Sequence, residues 1–147
     1  MQHYTVKNLM ALNPVVISPE ASLKEAADKM RLLDCGVMPV GTPDKLVGMI
    51  TDRDITLRAV ANGKDPVKTK VGDVMTCKVF FVEEDETLDK AAEILKRLKI
   101  NRLLVKDSKG RLTGILSLSG LIRETSDAAA LSQFIRQLAQ QNHRQAA

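Results

Sequence analysis

Apolar and polar residues follow one another along the chain in an order that occurs twice. Each occurrence opens with a short apolar run, at Val15–Ile17 and at Val79–Val82, of the kind that favours a strand. Apolar residues at helical spacing come next, behind a helix-capping hydroxyl at Ser22 and at Thr87. These helix positions are Leu23, Ala26, Ala27, Met30 and Leu33 in the first occurrence, and Leu88, Ala91, Ala92, Leu95 and Leu98 in the second.

Two more strands and a second helix complete each occurrence. The predicted strand pairs are Val37–Val40 with Leu46–Ile50, and Arg102–Val105 with Leu112–Leu116. Turn-forming residues join the members of each pair, as a hairpin requires. A second helix is predicted from Asp52 to about Gly63, and its counterpart after Ser117. The order β-α-β-β-α, used twice, predicts an α/β fold.

The repetition also sets the expected domain boundaries. We assign residues 6–64 to the first repeat and residues 71–124 to the second, with a polar linker at Asp65–Lys70. Residues 128–147 are assigned to a C-terminal helix with a frayed tail. Leu131, Phe134, Ile135 and Leu138 lie at helical spacing in this segment, which predicts an amphipathic helix that docks on the body or on a second chain.

Composition and charge narrow the class of protein. The chain has 147 residues, of which 44% are hydrophobic, enough for a core made mainly of aliphatic side chains. The net charge of +4 is spread among interleaved acids and bases, which argues against a nucleic-acid partner. The N-terminus lacks a signal-peptide pattern and no apolar run could span a membrane, so we expect a cytoplasmic protein without a membrane partner.

The residues that usually carry catalysis or bind metals are sparse. Cys35 and Cys77 form no metal-binding pattern, and His3 and His143 lie near opposite ends of the chain. There is no Ser/His/Asp or Cys/His set and no phosphate-binding Walker loop. We therefore expect no catalytic residues, no metal site and no required cofactor. Cys35 fits either a redox sensor or a thiol that packs in a core or pocket.

The most informative local motif is Gly48–Asp54, where a strand ends and a helix begins. The Thr51 hydroxyl and the free N–H groups at the helix start could hold a phosphate, with added positive charge from Arg53. The Asp54 carboxylate suits the two hydroxyls of a ribose. However, Thr51 and Asp54 also have the spacing of an ordinary helix capping box. The spacing alone leaves both interpretations open.

The chain as a whole resembles the tandem cystathionine-β-synthase (CBS) domain pair, or Bateman module. The resemblance covers about residues 6–124 and rests on the double β-α-β-β-α unit, on Gly36–Val40 and on Gly-x-x-Thr/Ser-x-x-Asp at Gly48–Asp54. It implies two repeats related by a pseudo-two-fold axis and a cleft between them. It also implies an adenosine ligand there (AMP, ADP, ATP or S-adenosylmethionine) and dimers of modules.

The resemblance also implies two ligand sites that combine residues from both repeats. The first site would use Met49, Thr51, Arg53, Asp54, Lys78, Ile100, Asn101 and Arg102. A weaker second site would use Asn13, Cys35, Gly36, Val37, Ile115, Ser117 and Ser119. Gly120 stands where the second site would need its ribose-binding acid. Arg102 fits either a phosphate contact or a salt bridge with an acid.

These features lead to one expected function and one alternative. The expected protein is a homodimeric regulatory module that binds an adenosine nucleotide and signals in trans to an unidentified protein partner. The alternative is a ligand-free module for dimerisation or protein interaction. The sequence does not distinguish among the adenosine ligands.

Overall fold

A computed structural model describes residues 3–118 and 127–144 of the chain, with side chains up to Ala139. In chain order, the described elements are a 3-10 helix Val6–Asn8, β1 Ala11–Leu12, α1 Leu23–Leu33, β2 Val37–Thr42, β3 Lys45–Thr51, α2 Asp52–Asp54, a π-helix Ile55–Val60, α3 Val71–Val74, β4 Phe81–Glu83, α4 Leu88–Leu98, β5 Arg102–Lys106, β6 Leu112–Ser117 and α5 Ala128–Arg144. The predicted α/β class and the C-terminal helix are confirmed.

The chain divides into two compact units. The contiguous unit is Pro14–Val79, and the composite unit combines Met1–Asn13 with Phe80–Ala147. The opening segment of each sequence repeat therefore belongs to the unit that holds the body of the other repeat. The sequence repeats and the structural units are offset, and each unit is described by itself below.

In the contiguous unit, α1 packs with the antiparallel hairpin of β2 and β3. The Ser22 hydroxyl accepts the Glu25 N–H at 3.1 Å, so the predicted N-cap is confirmed. The core is aliphatic and sulfur-containing, and its buried members are Ile17, Leu23, Ala26, Met30, Met38, Val40, Ile50, Ala59, Val71 and Val74.

Two segments of this unit differ from their predictions. The strand predicted at Val15–Ile17 is reduced to a single bridge between Ile17 and Val40. Pro14 and Pro19 flank the run and lack the N–H groups that a longer ladder needs. The predicted linker packs on α1, where the carbonyls of Thr69 and Pro66 accept the Leu23 and Lys24 N–H groups, each at 3.0 Å. The linker thus satisfies N–H groups that have no partner within the helix.

The composite unit is built on a four-stranded sheet in the order β1-β6-β5-β4. β4 and β5 are parallel, and the other two pairings are antiparallel. Helices α4 and α5 contribute the apolar residues that pack with this sheet, including Ala91, Ala92, Leu95 and Phe134. Helix α5 therefore docks on its own unit, which was one of the two predicted placements.

The turn between β5 and β6 is fixed by a single acid. Asp107 accepts the backbone N–H groups of Lys109 and Arg111, each at 2.9 Å, and the Nε of Arg111 at 2.7 Å. The bonds from Arg111 and Lys109 hold the pKa of Asp107 below its ordinary value. They also hold the hairpin in the register that places Arg102 opposite Ser117.

The buried anchor of α5 gives the first testable prediction. Phe134 is completely buried in the composite core, whereas the next residue, Ile135, is 48% exposed. Phe134→Ala leaves a large cavity and should lower the free energy of unfolding by about 3–5 kcal/mol. The matched change Ile135→Ala should cost about 1 kcal/mol or less, since its side chain is half in water. Denaturant unfolding of both variants measures the difference, and equal losses would show that α5 is not anchored through Phe134.

Candidate functional site

The motif at Gly48–Asp54 forms a complete capping box at the end of β3. The Thr51 hydroxyl accepts the Asp54 N–H at 3.0 Å, and the Asp54 carboxylate accepts the Thr51 N–H at 3.1 Å. Both residues are buried, with 7% and 8% of their surfaces exposed. The capping interpretation of this motif is therefore realised, and the pair forms a rigid corner between strand and helix.

The Asp54 carboxylate has two further partners. The Thr76 hydroxyl lies 3.2 Å from Oδ1 and 3.3 Å from Oδ2, and the Nε of Arg58 lies 3.8 Å from Oδ1. A carboxylate offers about four acceptor positions, and the Thr51 N–H with the bridging Thr76 hydroxyl occupies most of them. Arg58 is too distant for a hydrogen bond and contributes its charge. Burial of this acid is thus compensated by hydrogen bonds and by a nearby guanidinium.

Main-chain contacts hold the segment around Thr76 against β3. The Nη1 of Arg58 donates to the carbonyls of Val74 and Met75, at 3.1 and 3.0 Å. The N–H and C=O groups of Thr76 both pair with those of Met49, at 2.8 and 2.9 Å. The Met49 side chain is itself buried, with 9% exposed. Both Thr76 and Arg58 were missed by the sequence analysis.

Three residues predicted for the second site also lie in this unit. Gly36 accepts the Asp52 N–H at 3.0 Å, and Val37 is paired with Thr51 across the hairpin. A Cβ at Gly36 would come within 2.8 Å of the Asp52 carboxylate, so a side chain here would require that exposed carboxylate to move. Cys35 is half-buried and has an interaction partner of its own. Gly36 and Val37 therefore line the corner formed by Thr51 and Asp52, whereas Cys35 packs against the core of this unit.

The composite unit holds the corresponding corner. Asn101 accepts the Leu118 N–H at 3.1 Å, and Arg102 is paired with Ser117. Ile115 is paired with Ala11 at the neighbouring strand. The remaining predicted members described here are Ile100, which packs against the composite core, and Asn13, which donates to the Thr113 carbonyl at 3.2 Å. Ser119 and Gly120 lie outside the described residues.

Arg102 is partly buried at the start of β5. Its Nε is buried, and within the described part of the chain it has no hydrogen-bond partner. The salt bridge that was one of its two predicted roles is absent among residues 3–118 and 127–139. A buried donor without a partner is costly, so a ligand oxygen would satisfy this group.

The two remaining predicted cations are exposed. Arg53 and Lys78 both lie on the surface of the contiguous unit. The first predicted site is therefore divided, with Met49, Thr51, Arg53, Asp54 and Lys78 in the contiguous unit and Ile100, Asn101 and Arg102 in the composite unit. The second is divided in the same manner.

Within residues 3–118 and 127–144, no cluster of three or more His, Cys, Asp or Glu side chains could hold a metal ion. Nor is any helix in those ranges both long and apolar enough to cross a membrane.

Comparison with known proteins agrees with this architecture. The CBS domain family model matches residues 6–60 and again residues 71–127. The CBS domain-containing protein YhcV of Bacillus subtilis (strain 168) is 33% identical over 127 residues, covering 86% of this chain and 89% of the relative.

Two solved structures of similar chains contain adenosine compounds. The CBS domain pair of protein MJ0100, in complex with 5-methylthioadenosine and S-adenosyl-L-methionine, is 28% identical with a TM-score of 0.71, covering 83% of this chain and 95% of that one. CBSX2 in complex with AMP is 29% identical with a TM-score of 0.63, covering 82% and 94%. With two family matches that span most of its length, this chain belongs to the CBS-domain family and carries two CBS repeats.

Proposed function

We propose that this protein is a regulatory module that binds an adenosine nucleotide of the AMP, ADP or ATP class, with Asp54 as the residue that recognises the ribose. The observation that carries the proposal is a buried carboxylate held at a strand-to-helix corner directly behind the Thr51 hydroxyl. The adenosine compounds bound by MJ0100 and CBSX2 support the same ligand class.

The chemistry of this corner suits a ribose. A carboxylate only accepts hydrogen bonds, and a ribose presents two adjacent hydroxyl donors. Because Asp54 is buried and fixed by the Thr51 N–H, it is already oriented and pays little ordering entropy on binding. The exposed Arg53 side chain supplies positive charge for phosphate groups.

Arg102 is our proposed phosphate contact from the second repeat. Its buried Nε lacks a partner within the described residues, and a phosphate oxygen would provide a charge-assisted hydrogen bond. The roles assigned by resemblance to Met49, Lys78, Ile100 and Asn101 remain predictions. The expected position of the nucleotide, in a cleft between the repeats, also remains a prediction.

Replacing Asp54 tests the proposal directly. Asp54→Ala removes hydrogen bonds to a charged acceptor, each worth about 1.5–3 kcal/mol. Affinity for the best ligand among AMP, ADP and ATP should fall about tenfold to more than a hundredfold in calorimetric titration.

Asp73→Ala is the matched control for this change. Asp73 is exposed and accepts the Lys70 N–H at 3.2 Å, so its loss also removes a capping-box bond in the contiguous unit. Nucleotide affinity should be unaffected in Asp73→Ala. If Asp54→Ala also binds as tightly as the parent, Asp54 is only a helix cap and the ligand proposal fails.

We also propose that each chain has at most one strong site. Gly120 occupies the position of the ribose-binding acid in the second repeat and cannot accept a hydroxyl hydrogen bond through a side chain. Calorimetry should therefore give about one nucleotide per chain. Two equivalent nucleotides per chain would contradict this proposal. The variant Gly120→Asp should create or strengthen the second site.

The alternative function, a ligand-free interaction module, is favoured by one observation. Asp54 already has partners in Thr51, Thr76 and Arg58, so its burial is stable without a ligand. A thermal shift panel of adenosine compounds separates the two functions. Ligand at about 100 times Kd should add about 2.7 kcal/mol of stability, and no shift with any compound would favour the interaction module.

We propose further that the protein acts without turnover, as a homodimer that signals in trans. Leu57 and Val60 on the π-helix just after Asp54 are 50% and 68% exposed, an apolar surface suited to a second copy or a partner. Light scattering at tens of micromolar should show a dimer. The cytoplasmic location stays a prediction.

Hydrogen exchange tests the signalling role. A ligand changes a conformational equilibrium only by binding one state more tightly than another. Nucleotide should therefore slow exchange beyond Gly48–Asp54, including the π-helix Ile55–Val60 and β5. Protection restricted to Gly48–Asp54 would leave a passive binder, and nucleotide hydrolysis that is lost in Asp54→Ala would show an enzyme instead.

A further inference from the structure

We propose that Thr76 is a further residue of the nucleotide site, and that its hydroxyl competes with the ligand's ribose for the carboxylate of Asp54. This inference rests on the proposed function. In the free protein the Thr76 hydroxyl already contacts Asp54, the proposed ribose-binding residue, and this contact would lower the affinity of the site for a nucleotide.

The Asp54 carboxylate can accept only a few hydrogen bonds at once. Thr51 N–H takes one, and the Thr76 hydroxyl bridges both oxygens at 3.2 and 3.3 Å. Arg58 Nε lies near Oδ1 at 3.8 Å. At that distance Arg58 contributes charge and not a hydrogen bond. Because the Thr76 hydroxyl blocks a position on each oxygen, about one of the four positions remains open, too few for two ribose hydroxyls. At least one of these partners must give way when a ribose binds.

The geometry indicates that Thr76 gives way. Its hydroxyl bonds are long compared with the usual separation of about 2.7–2.8 Å for O–H···O pairs, so they are weak. The Thr51 N–H belongs to the capping box and cannot leave without unwinding the helix start. Arg58 is held separately by the carbonyls of Val74 and Met75, and its charge still balances the carboxylate after Thr76 has left.

The backbone of Thr76 restricts how its hydroxyl can leave. Both of its main-chain groups pair with Met49, and its carbonyl would lie 2.7 Å from a Cβ on Gly48. This close packing leaves little room for the segment to shift. The hydroxyl must therefore turn away by a change of side-chain rotamer, which is a small, local movement.

Competition of this kind predicts that removing the hydroxyl improves binding. Thr76→Val has nearly the same shape but leaves Asp54 with an open acceptor position in the free protein. The ligand then no longer displaces an internal hydrogen bond, and its affinity should rise by about tenfold. The gain should be largest for AMP and smaller for 2′-deoxy- and 3′-deoxy-AMP, which lack one of the two hydroxyl donors.

Two control variants test whether a change in AMP affinity comes from the loss of the Thr76 hydroxyl itself. Thr76→Ser keeps the hydroxyl and should bind AMP like the parent. Thr56→Val removes a hydroxyl from the same unit that donates to the Asp52 carbonyl at 3.0 Å and not to Asp54, so AMP affinity should be unchanged. If Thr76→Val does not fold, Thr76→Ala carries the same prediction.

Calorimetric titration with AMP distinguishes the possible results. Tighter binding in Thr76→Val that disappears in the Asp54→Ala background supports the proposal, since the coupling then runs through Asp54. If the parent binds AMP through Asp54 but Thr76→Val binds equally or more weakly, competition is overturned and the proposed function stands. If neither the parent nor Thr76→Val binds any adenosine ligand, the proposed function itself fails, and this inference with it.

Discussion

A close approach between backbones organises both units of this protein. A Cβ at Gly48 would lie 2.7 Å from the Thr76 carbonyl, and a Cβ at Gly114 would lie 2.7 Å from the Ala11 carbonyl. Methionine sulfur atoms, from Met75 and Met10, pack against the same two glycines. Only glycine lets the opening segment of one repeat lie so close to the third strand of the other. The offset between sequence repeats and structural units depends on this contact.

The contact at Gly48 has a chemical consequence that the contact at Gly114 lacks. It brings a hydroxyl residue, Thr76, to the capping box, where that hydroxyl reaches the Asp54 carboxylate. At the equivalent place in the composite unit stands Ala11, which has no polar side-chain atom. The two units therefore share a backbone design but differ in the polar groups placed on it.

Asp54 has one observed role and one proposed role. As a cap it stabilises the helix start, and its burial is tolerated because Thr51, Thr76 and Arg58 surround it. As a proposed ribose acceptor it would have to exchange one of these partners for a ligand. An acid used in this manner keeps the free protein stable while leaving its contacts replaceable. The buried Nε of Arg102 is the opposite case, since it has no partner within the described residues.

The sequence by itself determined the local structure and the family. Apolar periodicity located α1 and α4, hydroxyl caps located their starts, and the repeated motifs identified the CBS repeats. Such features depend on residues within a few positions of one another, so they can be predicted from the sequence. Even Arg58 had a local signal, because it lies one helical turn after Asp54.

Tertiary structure decided which distant residues complete each corner. Thr76 is 22 residues from Asp54, and no periodicity connects them; β3 and its glycine bring them together. Pairing between distant segments also makes the predicted linker a cap for α1. The sequence could not indicate this, because the capping groups are backbone carbonyls, which every residue has. Tertiary structure also reduced the predicted first strand to one bridge at Ile17, since a strand exists only where a partner accepts its hydrogen bonds. Local chemistry could be predicted from the sequence, whereas pairing between distant segments required the folded chain.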